Sequence, residues 1–309
     1  MPRPTAGLLA RGACLALLMS TMTAPALAGD PAAAPDAVRK TVRLANGMNL
    51  GYIELGDPKN PPLVSLHGYT NSSLAYLPLG RLLARDSHVF LLDMRGHGVS
   101  GKPECCYSRI DFAYDIKLFL DRFGLDRADI IGHSLGSFVA QTFAAYWPER
   151  TRHLVLIASS AGRLTPIEPG KPRPPSALGA AADEAIRSLK DPIDPDSPFM
   201  IEWWNVPSLD QDMQRMMRRE SARIPARVWR AIHAQGLASV DLVATIHWIK
   251  APTLLVCGGK DGLFGPSDRD ALMRYLPQAK LALFPELGHS LPEENPPLVA
   301  ASIQDFLSH

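Results

Sequence analysis

Short, mostly apolar runs alternate along this chain with longer segments of helical spacing, and that alternation restricts the fold more than any other feature. The runs lie at residues 62–66, 88–94, 128–132, 153–158, 253–257 and 280–284. Helical spacing fills 74–84, 110–123, 134–146, 267–276 and 296–307. A run that is apolar at nearly every position is buried on both faces, as a strand is in a parallel sheet sandwiched between helices. Two further strand-like runs, 40–44 and 50–55, flank Asn46-Gly47, a strong hairpin turn. The expected fold is therefore α/β, a mostly parallel sheet with helices on both faces.

The alternation stops near residue 160 and resumes at 253. The intervening segment is Pro-rich at 166–175 and then shows helical patterns at 181–189, 209–220 and 226–234. It carries Phe199, Met200, Trp203, Trp204, Met213, Met216, Met217 and Trp229, large and adaptable apolar side chains. These observations predict a core of residues 29–159 and 249–309, with a helical cap inserted at 160–248. The underside of that cap is expected to shape an apolar pocket, with Trp203, Trp204 and Met217 as wall residues.

The N-terminus reads as an export signal occupying residues 1–28. Arg3 and Arg11 supply positive charge, residues 13–19 are apolar, and Ala26-Leu27-Ala28 fits a small-x-small cleavage site. The apolar stretch is too short to span a bilayer comfortably, and no later stretch is long and apolar enough to do so. The mature chain is expected in the periplasm or outside the cell. Of the four cysteines, Cys14 leaves with the signal. Cys257 falls in a strand. For the adjacent Cys105 and Cys106, separate thiols are expected over a ring disulfide, because bridge geometry is hard to meet between neighbours. The net charge of +1, with no basic block, gives little support to a nucleic-acid binder and suits a small-molecule substrate. No Cys/His spacing suggests a metal, and no cofactor is expected.

Gly132-His133-Ser134-Leu135-Gly136 is Gly-x-Ser-x-Gly between a strand and a helix. A sharp turn there lifts the serine above the sheet, and small flanking residues avoid a clash. A serine hydroxyl needs a base. His289 follows the last strand and Asp261 follows the strand 253–257, so all three residues sit beyond strand ends, in the order Ser134, Asp261, His289. These form the predicted catalytic set. The oxyanion donors are expected to be the backbone N–H of Leu135 and that of Tyr69, where Gly68 allows close approach. The Tyr69 side chain either enters the pocket or caps the core.

His67-Gly68, Asp93 to Ser100 (DMRGHGVS), the serine pentapeptide, Gly259-Lys260-Asp261 and Gly288-His289 together resemble the α/β-hydrolase superfamily. The likeness is to the branch with epoxide hydrolases, haloperoxidase-like esterases and acyl-homoserine lactonases, and it runs from about residue 40 to the C-terminus. It implies a scaffolding role for Asp93, Arg95, His97 and His133. Epoxide-opening and dehalogenating members carry aspartate at the elbow, so Ser134 favours acyl transfer. The expected activity is hydrolysis of a carboxylic ester or lactone of a small, fairly apolar substrate. Carbon–carbon or amide bond hydrolysis on the same residues, and a non-catalytic binding protein, are the alternatives.

Overall fold

A computed structural model describes residues 37–162, 176, 178–237 and 241–309. The expected export signal, part of the lead-in and the Pro-rich stretch lie outside the described residues. Eight strands form one sheet in the order β1-β2-β4-β3-β5-β6-β7-β8. In chain order these are β1 Lys40–Arg43, β2 Asn49–Leu55, β3 Pro62–Leu66, β4 His88–Asp93, β5 Ala128–His133, β6 Thr151–Ile157, β7 Thr253–Gly258 and β8 Lys280–Phe284. β1, β2 and β4 pair antiparallel, and the remaining pairs are parallel. Every residue of β4 and β5 is buried, which is why their sequences read as continuous apolar runs.

Between strands come the helices α1 Leu77–Leu83, α2 Arg109–Arg122 and α3 Leu135–Tyr146, and after β7 come α9 Pro266–Tyr275, α10 Leu291–Glu294 and α11 Pro296–Leu307. α2 packs on α3, and α1 on α11. α2 begins at a reciprocal cap in which the Ser108 amide donates to Asp111 (2.9 Å). The core between strands and helices includes an aromatic cluster of Tyr52, Phe90, Phe119 and Phe123, with ring centroids 4.6–6.2 Å apart.

Between β6 and β7 the described residues form α4 Ala180–Ser188, α5 Pro198–Trp203, α6 Gln211–Ala222, α7 Ala226–Ile232 and α8 Val243–Ile246. This segment grips the loop after β3. Trp203 Nε1 donates to Thr70 Oγ1 (2.9 Å), Ser221 Oγ to the Thr70 carbonyl (2.7 Å), and Tyr69 OH to the Trp229 carbonyl (2.7 Å).

Two expectations change here. Cys105 and Cys106 are joined by a disulfide. Cys106 adopts a left-handed backbone (φ 74°), and its carbonyl accepts from Arg95 Nη1 (2.5 Å), which holds the bend that neighbouring cysteines need. Met217 is fully buried within the core, outside the pocket it was expected to line. An apolar side chain on α6 can turn toward either, and periodicity alone does not choose.

Arg95 is held by two bonds to Asp115, Nε to Oδ2 (2.6 Å) and Nη2 to Oδ1 (2.7 Å), with both side chains almost fully buried. Asp115→Ala strands a buried guanidinium. The expected cost is about 3–5 kcal/mol, read from the urea midpoint.

Candidate active site

The strand order reverses between β3 and β5, so the loops leaving their carboxyl ends diverge and leave a crevice. Ser134 stands at the head of β5 with φ 52° and ψ −119°, a backbone conformation that costs a non-glycine residue roughly 1–3 kcal/mol. It is held there by packing. A Cβ on Gly132 would lie 2.2 Å from the Gly136 carbonyl oxygen, and one on Gly136 would lie 2.4 Å from that of Leu66. The Ser134 amide donates to the Ile157 carbonyl (3.0 Å), and Ser137 Oγ donates to the Ser134 carbonyl (2.6 Å).

Asp261 and His289 come from loops after β7 and β8 that are pressed together. A Cβ on Gly258 would lie 2.2 Å from the Gly288 carbonyl oxygen, and the Lys260 amide donates to the Leu287 carbonyl (2.9 Å). His289 Nδ1 lies 3.1 and 3.0 Å from the two Asp261 carboxylate oxygens. A carboxylate only accepts, so Nδ1 carries a proton, and in the neutral imidazole the lone pair is then on Nε2. Burial raises the Asp261 carboxyl, but the His289 bond and the amides of Leu263 and Phe264 outweigh that and hold it below its usual value.

His133 braces the backbone of His289. Its Nε2 lies 2.7 Å from the His289 carbonyl and its Nδ1 2.5 Å from Tyr76 OH. Burial, with the neighbouring His289 ring, lowers His133 to about 3, so it is neutral. The proton must sit on Nε2 to meet a carbonyl, and Tyr76 donates to Nδ1. His67 and His97 do similar work on the loop after β3. Nδ1 of His67 donates to the Gly68 carbonyl (2.7 Å), and Nε2 of His97 accepts from the Thr70 amide (3.2 Å). Burial lowers both histidines as well. Among the described residues, the amides of Tyr69 and Leu135 have no protein acceptor.

Ser134 and His289 open onto one cavity of about 680 Å³. Tyr69, Trp203 and Trp204 line it. Tyr69 does so while its hydroxyl stays tied to Trp229. Sequence reasoning missed the alanines of α4 (Ala181, Ala182, Ala185), whose small size leaves the space open. It also missed Leu263, Asn71 and Glu293. Glu293 sits on the four-residue α10, too short to leave a periodic signal. Among the described residues, no His/Cys/Asp/Glu group is arranged to hold a metal, and no helix is long and apolar enough to cross a membrane.

Glu293 is 6% exposed, and burial pushes its carboxyl up to about 8, partly offset by the bond from Asn71. A raised acid keeps its proton in the folded chain over the range where the unfolded chain has lost it, here from about 4.5 to about 8. Stability therefore falls as pH rises through that window. Glu293→Gln removes this slope. The variant is expected to gain roughly 2–5 kcal/mol on wild type between pH 4 and pH 8, read from urea midpoints at each pH.

A serine on a sharp strand-to-helix turn at the reversal of strand order, sharing an apolar cavity with an Asp-bonded histidine, defines a hydrolase-type α/β site. The chain matches the family described as the alpha/beta hydrolase fold over residues 61–296. It is 26% identical to N-formylmaleamate deformylase of Pseudomonas putida, with 86% of this chain and 95% of the relative aligned. It is 27% identical to 2-(acetamidomethylene)succinate hydrolase of Mesorhizobium japonicum, with 80% and 88% aligned. The solved enol-lactonase of Burkholderia xenovorans LB400 shares the fold at a TM-score of 0.73 and 19% identity, over 87% of this chain and all of that one. The chain belongs to the α/β-hydrolase family and is a hydrolase.

Proposed function

We propose that this hydrolase cleaves a carboxylic ester or lactone of a small, fairly apolar substrate through an acyl-enzyme on Ser134, after export from the cytoplasm. The observation that carries the reading is the pair of unpartnered amides, Tyr69 and Leu135, offered beside Ser134. Such donors serve a developing oxyanion rather than a resting carbonyl. His289 Nε2 takes the Ser134 proton as Oγ attacks the carbonyl carbon, and the tetrahedral oxyanion forms against the two amides. His289 then returns the proton to the leaving oxygen, and the acyl group stays on Ser134. Water repeats the sequence and frees the acid. Asp261 orients the imidazole and stabilises its cationic form throughout. Apolar walls from Phe199, Trp203, Trp204, Val206 and Leu263 receive the acyl chain.

The likeness to a deformylase keeps amide hydrolysis as a second reading, since the same groups serve either leaving atom. A fluorophosphonate probe tests the nucleophile. The expected result is one adduct, mapped by mass spectrometry to the peptide containing Ser134. No adduct, or one elsewhere, would sink the reading. Relative rates on matched para-nitrophenyl esters and anilides then separate ester from amide cleavage.

A further inference from the structure

Glu293 is a carboxyl that the acyl-transfer sequence does not use, yet it lines the same cavity as Ser134 and His289, four positions after His289 in the chain. Its Oε1 accepts from Asn71 Nδ2 (2.8 Å), which ties the loop after β3 to α10. Its Oε2 is buried and has no hydrogen-bond partner among the described residues. A buried polar atom left unpaired costs roughly 1–3 kcal/mol, and a ligand that pairs it recovers that cost. The other carboxyl on the cavity wall, Glu202, is exposed.

We propose that Glu293 reads the substrate: its free carboxyl oxygen hydrogen-bonds an uncharged oxygen function, such as a ketone, a hydroxyl or a second ester carbonyl, carried beyond the scissile carbonyl. The proposal deepens the hydrolase reading and rests on it for the position of the scissile bond. Asn71 occupies one oxygen and fixes the rotamer, and Glu293 lies in the cavity wall, so a substrate oxygen that presses into that wall meets the other, covered oxygen at a defined point. With its titration raised to about 8, the carboxyl is a neutral acid at pH 7 and acts as a donor. A plain hydrocarbon chain leaves that donor unpaired, whereas a suitably placed oxygen satisfies it. The groups around it leave this state in place. Tyr76 and His133 are neutral, Glu294 on the same turn raises it further, and His289 is engaged with Asp261. α1 and α11, packed on the same turn or beside it, carry Arg81 and Asp305.

Binding to the Ser134→Ala protein tests the proposal without turnover. The probes are ethyl hexanoate and its analogues with a ketone at carbon 3, 4 or 5, measured by calorimetry. At least one keto ester is expected to bind about tenfold more tightly than the parent ester. Glu293→Met should erase that gain, and Glu293→Gln, which keeps a donor in place, should retain it. Above pH 8 the gain should fade with Glu293 and persist with Gln. The proposal is overturned if no keto ester outbinds the parent, or if Glu293→Met leaves the gain intact. Should the Met variant fail to fold, the pH comparison between Glu293 and Gln decides: parallel profiles overturn it. Fluorophosphonate labelling of the wild-type chain reports separately on Ser134, so loss of the nucleophile reading and loss of this one are distinct results.

Discussion

Ser134→Ala is expected to lower kcat/KM on para-nitrophenyl butyrate by about 10⁴- to 10⁶-fold. In the proposed mechanism, the alanine removes the atom that forms the acyl bond. It leaves the elbow, the cavity and the two amides, so the residual rate over water comes from binding and oxyanion stabilisation alone. His289→Ala should fall nearly as far, and the double variant no further, because the two side chains act as one unit. Asp261→Asn is expected to lose about 10⁴-fold, since an amide facing Nδ1 favours the wrong tautomer of His289. Steady-state kinetics with the folded state checked by circular dichroism would settle the point. Wild-type turnover in the Ser134→Ala protein is incompatible with the mechanism.

Gly136→Ala is the second large effect. The added Cβ would stand 2.4 Å from the Leu66 carbonyl oxygen and 2.6 Å from that of His67, both backbone atoms at the end of β3. No side chain can swing away to admit it. Either β3 shifts or the elbow opens, and both displace Ser134 from the amide of Tyr69. Overpacking of a yielding site costs about 1–3 kcal/mol, and this rigid one is expected to cost about 3 kcal/mol or more, with activity lost alongside. Gly124→Ala is the matched control. Its φ is also positive, at 64°, but a Cβ there meets nothing within 4 Å, so only the backbone term of about 1 kcal/mol is expected. Equal urea midpoints for the two variants would refute the packing argument.

The inner strands were legible because burial on both faces demands apolar residues at nearly every position, which a reader of the chain sees directly. Strand boundaries predicted from 62–66 and 280–284 coincide with β3 and β8. The helices α5, α8 and α10, of four to six residues, went unread because one turn and a half leaves no repeat to detect. That gap concealed Glu293. The expected pocket residues divided for a related reason. Trp203 and Trp204 reach the cavity and Met217 does not, although all three are large, apolar and in the same segment.

From its residues alone, the chain determined the parallel sheet, the tight turn around Ser134 and the strand ends that Asp261 and His289 follow, because local periodicity and tight-turn sterics act over a few neighbours. Tertiary structure alone decided what depends on elements distant in sequence meeting at a set angle. Such features are the pressing of Gly258 on Gly288 that seats Asp261 against His289, the neutral histidines that brace both loops, the joined Cys105 and Cys106, and the carboxyl of Glu293 buried over the nucleophile's cavity. Side-chain direction and desolvation set these, and neither is written in the spacing of residue types.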